Sequence, residues 1–204
     1  MSFTPTVVGA GCLAALVGAG AAAAQQQPQH PPYLPTRDVA VTYEMDHQGA
    51  GPAKQARVSF SASSGRLRLD LPSQKRFFIF DQAAKTTTVV MVREHIYLQM
   101  PLQPEMAGGF VLNADMKYAR GNPETIAGQH CTDWQVETDA ATGTVCVTDD
   151  GVLLLSRGQE KQGSGSGGLQ AVEVSYDPQP ATLFIPPAEF RKVDISEVAG
   201  TPAR

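Results

Sequence analysis

Long basic runs are missing from this 204-residue sequence: Lys75-Arg76 and Arg191-Lys192 are the longest. With a formal charge of −4 and an isoelectric point near 5.5, the chain lacks the broad positive footprint that nucleic acid or anionic surfaces require. Both basic pairs read as solvated strand or turn positions rather than as a phosphate site. Also missing are G-x-S-x-G, H-E-x-x-H, a P-loop and a G-x-G-x-x-G in a strand-turn-helix setting. No enzyme, cofactor or metal is expected on these grounds. His30, His47, His95 and His130 each lie among polar or turn residues, with no local partner that makes a catalytic pair.

A third absence is charge in the first 24 residues. The apolar, small-residue run "TVVGAGCLAALVGAGAAAA" ends in an A-x-A pattern before Gln25, as an export signal cleaved after Ala24 does, although it has no leading Lys or Arg. A retained membrane anchor is the rival, weakened by the Ala and Gly content. Cleavage discards Cys12 and leaves Cys131 and Cys146, no stable membrane span, and a periplasmic or secreted protein. In an oxidising compartment two cysteines are expected to form a disulfide. Zinc lacks further ligands, since His130 adjoins Cys131 too closely, and a redox pair would show a C-x-x-C spacing. Register leaves one point open. A turn at "AATG" sets Cys146 opposite Glu137, too far from Cys131 to bridge, so the pairing needs either a tighter turn near Thr138-Asp139 or a segment that bends back.

Residues 25–36, "QQQPQHPPYLPT", read as an extended tether. From Arg37 the texture alternates. Val39, Val41, Tyr43 and Met45 share one face; Leu67, Leu69 and Leu71 oppose Arg66, Arg68 and Asp70. Further one-sided segments follow at "KRFFIFDQ", "TTTVVMV" and "HIYLQM", which describes an antiparallel meander. Between Pro101 and Asp115 the rhythm breaks, and a short helix is expected near Pro104, ahead of Gly108-Gly109. Met91, Met100, Met106 and Met116 cluster around this break, either as gap-filling core or as an adaptable cover over an apolar cavity. Asp149-Asp150-Gly151 reads as a type I′ hairpin turn setting Val147 opposite Leu154. "QEKQGSGSGGLQ" is a flexible hairpin loop. No internal repeat or second domain is evident. The predicted organisation is a signal segment 1–24, a tether 25–36, a β domain 37–195 and a C-terminal tail 196–204.

An Ala-rich export signal, a meander with a Met- and Pro-containing interruption, and an ending Phe184-x-x-Pro187-x-x-Phe190 resemble the LolA/LolB/RseB-like periplasmic lipoprotein-carrier superfamily over roughly residues 37–195. The Cys-x-x-Trp and "VCVTDDGVLL" stretches look closest to uncharacterised exported relatives. The resemblance implies a mainly β protein: a single strongly curved antiparallel sheet, an incomplete barrel, with one or two short helices over its apolar concave side. It implies a non-enzymatic exported protein able to bind a lipid, or lipoprotein acyl chains, in that groove. Candidate groove residues are Val41, Tyr43, Phe60, Leu67, Leu69, Phe78, Phe80, Met91, Met100, Met106, Phe110 and Trp134, whose plainer reading is ordinary packed core. The alternative is a protein-interaction or envelope-sensing module that meets an envelope protein through loops 46–54 and 161–168.

Overall fold

The computed structural model describes residues 28–47 and 54–199. The signal segment with its cleavage site and Cys12, the start of the tether, the centre of loop 46–54 and the last five residues of the tail lie outside the described residues. Twelve strands form one sheet: β1 (Val39–His47), β2 (Lys54–Ser61), β3 (Arg66–Leu71), β4 (Arg76–Asp81), β5 (Thr86–Met91), β6 (Ile96–Pro101), β7 (Lys117–Ile126), β8 (Gln129–Glu137), β9 (Ala141–Val147), β10 (Leu153–Glu160), β11 (Ser166–Ser175) and β12 (Arg191–Lys192). Their order is β12-β6-β5-β4-β3-β2-β1-β11-β10-β9-β8-β7, and the sheet does not close into a barrel. Every pairing is antiparallel except the two-residue β12 beside β6. A short helix, α1 (Ile195–Ala199), occupies the start of the expected tail, where Arg191 pairs with Glu197 at 2.9 Å.

Strands β6 and β7 lie ten strand spacings apart, about 48 Å across a flat sheet. The connection between them contains the 3-10 turn Pro104–Phe110, and at about 2 Å per residue there and about 3.4 Å elsewhere it reaches roughly 45 Å. It must also climb from the end of the sheet where β6 stops to the opposite end, where β7 starts. A flat sheet is therefore too wide for its own chain. The sheet curls, and the connection crosses its concave side.

The four-residue turns after β2 to β5 repeat every ten residues, a period the side chains do not advertise. Each ends on a left-handed residue: Gly65 (φ 64°), then Lys75, Lys85 and His95 (φ 52° each). The carbonyls of Lys75, Lys85 and His95 accept hydrogen bonds from the N–H groups of Val92, Leu102 and Arg191. Backbone pairing thus holds three side-chain-bearing residues where glycine is favoured. Lys85→Gly should raise stability by about 0.5–1 kcal/mol, the relief of the Cβ clash outweighing the entropy lost from the unfolded chain. Thermal unfolding checks this, and a lower midpoint would contradict it.

Burial explains the run Phe77-Phe78-Ile79-Phe80. Phe78 and Phe80 face the main core, while Phe77 and Ile79 join Val90, Tyr97 and Phe190 in a second cluster on the convex side. The C-terminal segment covers that side. The Arg68 guanidinium lies 3.6 Å over the Phe77 ring, pairs with Asp70 at 2.7 Å and donates to the Leu183 carbonyl at 2.9 Å. A strand apolar on both faces loses its alternation for this reason.

Two turns decide local register. The loop after β8 closes with Thr138 N–H on the Ala141 carbonyl, so Glu137 pairs with Thr142 and Asp133 with Cys146. The tighter of the two expected turns is the one observed. Cys131 and Cys146 are bonded, with Cα atoms 5.5 Å apart. They share a face with Asp133, Gln135 and Thr144, yet both are buried. After β9 the expectation is corrected: Val147 pairs with Leu153, not Leu154, because Gly151 alone is left-handed there (φ 89°) and Thr148 bonds back to Val152.

Candidate functional site

Strand alternation builds one apolar floor on the concave side. Val41 and Tyr43 come from β1, Phe60 from β2, Leu67 and Leu69 from β3, Phe78 and Phe80 from β4, Met91 from β5, Met100 from β6 and Trp134 from β8. With Met106 and Phe110 on the crossing connection, all twelve candidate residues fall in a single apolar cluster. The two aromatic residues at its centre meet edge to face, Tyr43 and Phe110 at 5.4 Å. The Tyr43 hydroxyl donates to the buried Leu153 carbonyl at 2.6 Å, and burial pushes this phenol well above its ordinary range.

Two segments lie over the floor. One is the crossing connection, which adds Ala107 and Leu112 to the cluster. The other is the second half of the expected tether: Pro31 is fully buried, and Tyr33 and Leu34 pack against the core. It is tied down by Thr36 N–H to the Asp150 carbonyl and by Arg37, which pairs with Asp150 at 2.7 Å and lies 3.5 Å over the Tyr176 ring. Tyr33 also stacks on His30 at 4.6 Å and meets Tyr118 at 5.9 Å. A Cβ on Gly151 would sit 2.3 Å from the Leu34 carbonyl oxygen, so only glycine lets this segment lie so close. The twelve candidates leave out several floor and cover residues, Tyr33, Leu34, Val89, Leu98, Leu112 and Leu169 among them. The Tyr33-Leu34 pair inside a Pro-rich stretch was the available signal.

The trough is full in this structure. Beneath Tyr33, Phe110 and Leu112 only about 30 Å³ remains, too little for any organic ligand. Toward the end of the sheet formed by the β10–β11 hairpin, the concave side opens into a pocket of about 410 Å³ lined by Met45, Gly109, Phe110, Ser156 and Leu169. The glycines of that hairpin keep its walls low, so the mouth is exposed to water.

Among the described residues no arrangement of nucleophile, base and orienting group is brought together. His130 shares a hydrogen bond with Thr125, and His95 meets the Phe190 ring edge-on. Glu124, Asp133 and Cys146 place ligand-type atoms within 4.8 Å of one another, but the Cys146 sulfur is committed to the disulfide, which leaves two carboxylates. One Asp133 oxygen is buried without a partner. Its carboxyl is held above the usual range by burial first and by Glu124 repulsion second. A raised carboxyl pKa costs stability above that range and nothing once both folded and unfolded states are protonated. Asp133→Asn should therefore raise the unfolding midpoint at pH 7, with the gain vanishing as pH falls through the carboxylate range. An equal gain at low pH would contradict this.

No helix among the described residues is long and apolar enough to cross a membrane. No protein-family model matches the chain, and no curated protein is similar to it in sequence. Solved structures are similar. An uncharacterised conserved protein of Thermus thermophilus is 13% identical over 78% of this chain and 90% of its own, with a TM-score of 0.57. MucB in the Pseudomonas aeruginosa MucA/MucB complex is 13% identical over 78% of this chain and 58% of its own, with a TM-score of 0.45, so the chain spans less than two thirds of MucB. A LolA superfamily protein from Nitrosomonas europaea is 9% identical over 74% of this chain and 91% of its own, with a TM-score of 0.41. The chain shares its fold with the Thermus thermophilus protein: one large open antiparallel sheet, curled, with a short turn-bearing segment across its concave side.

Proposed function

We propose that this protein is an exported, non-catalytic carrier or sensor of the cell envelope that takes an apolar chain into its concave side when the crossing connection lifts. The observation that carries the reading is the nature of the cover. The largest apolar surface of the molecule is closed by a connection with one 3-10 turn and no strand pairing, not by a second sheet. Phe110 and Leu112 occupy the trough much as a ligand's methylenes would. Each buried methylene contributes about 0.8 kcal/mol, so an acyl chain can replace these contacts at little net cost. The mouth at Met45 and Leu169 supplies the route in. The disulfide supports an oxidising compartment, in keeping with the export segment.

A titration with a fluorescent fatty acid, together with mass spectrometry of lipid co-purified from envelope-expressed protein, tests the proposal. Saturable binding or co-purified lipid is expected. Neither appearing would remove it.

A further inference from the structure

The turns at 72–75 and 92–95 stand side by side at the end of the sheet where β3 and β5 finish. The Val92 N–H donates to the Lys75 carbonyl at 3.0 Å and fixes one turn against the other. Between them lies a polar pocket of about 310 Å³ lined by Ser73, Gln74, Lys75, Arg76, Arg93 and Glu94. Arg76 pairs in register with Met91 and alternates with Phe78, so the pocket sits on the concave rim beside the apolar floor.

Its charge is unbalanced. Arg37, Arg66, Arg68 and Arg191 each hold a carboxylate. Lys75, Arg76 and Arg93 make no ion pair and no side-chain hydrogen bond among the described residues, and Glu94 is the one acid in the lining. Three cations against one anion leave a local charge of +2 on a chain whose total is −4. The three side chains are exposed, and like charges that share one pocket favour an anion between them. The lining residues carry two planar guanidinium groups, an ammonium, a hydroxyl and a carboxamide. That donor set matches the several oxygens and near-double charge of a phosphate better than the two oxygens of a carboxylate.

We infer that this pocket binds a phosphate group, carried either on a lipid headgroup or as the free ion. The chain's overall acidity does not oppose this, because water and salt screen charges beyond about 10 Å. The assignment stands apart from carriage of an apolar chain, since inorganic phosphate has no such chain to bury.

The test is an NMR titration of the full chain with inorganic phosphate, beside flotation with vesicles of phosphatidylglycerol or phosphatidylcholine. Shifts should concentrate at residues 73–76 and 91–94. Arg76→Gln/Arg93→Gln should weaken binding by about tenfold or more, while Lys117→Gln should leave it unchanged. Localised phosphate shifts without flotation assign the free ion. Flotation with phosphatidylglycerol alone, lost in the double variant, assigns the headgroup. Shifts spread over unrelated lysines, binding unaltered in the double variant, or no binding of either probe would overturn the inference.

Discussion

Oxidised Gly109→Cys/Ser156→Cys protein is expected to lose uptake of a fluorescent fatty acid, and mild reduction is expected to restore it. A Cβ built on Gly109 lies 3.7 Å from the Ser156 Cβ, inside the separation of about 3.5–4.5 Å that a disulfide requires. Gly109 belongs to the crossing connection and Ser156 to β10, so the bond would pin the cover to the floor. With only about 30 Å³ beneath Tyr33, Phe110 and Leu112, a pinned cover leaves no room for an acyl chain. Affinity should fall by at least about tenfold. Wild-type protein in the same reductant controls for the native disulfide. Undiminished binding by the oxidised variant would place the ligand elsewhere and defeat the carrier reading.

The second large effect concerns the native bridge. Cys131→Ala/Cys146→Ala should cost about 3 kcal/mol, the chain-entropy value for a closed loop of 15 residues. For a domain of this size the unfolding midpoint would drop by roughly 6–12 °C. The location adds to the loss. Strands β7, β8 and β9 form one margin of the sheet, and β7 has a neighbour on one side only. Without the bridge this margin depends on ladder hydrogen bonds and on Trp134, which Tyr118 meets edge-on and Arg120 overlies at 5.3 Å. Calorimetry checks the size of the drop. A change under about 1 kcal/mol would show that pairing, not the cross-link, holds the margin.

Much of the architecture is legible in the residues because strand periodicity is local. Leu67, Leu69 and Leu71 against Arg66, Arg68 and Asp70 announce a half-buried strand without any knowledge of neighbours. The failures are non-local. "KRFFIFDQ" reads as a one-sided strand, but Phe77 and Ile79 are buried on the other face by the C-terminal segment around Phe190, more than 100 residues away in the chain. The ten-residue spacing of the turns is hidden in the sequence because its marker is backbone conformation at Lys75, Lys85 and His95, where no glycine signals it. Whether the twelve groove candidates enclose space or fill it depends on the volumes of Tyr33, Phe110 and Leu112 brought in from outside the strands. No pattern within a strand records that balance. Lys75-Arg76 reads as a solvated pair in sequence, and it becomes the wall of a pocket only when Arg93 is folded beside it.

The metre of β3 to β6 has an architectural corollary. Six-residue strands joined by four-residue turns are interchangeable units, so the girth of the curl is set in instalments of one strand. Chain direction reverses at each turn, which makes twenty residues the smallest excision or duplication that keeps the following strand pointing correctly. Such a change would alter the span that the crossing connection must bridge while leaving its own length untouched. Girth and cover length are therefore tied: a homologue with a wider or narrower curl would need a matching change between Pro101 and Lys117.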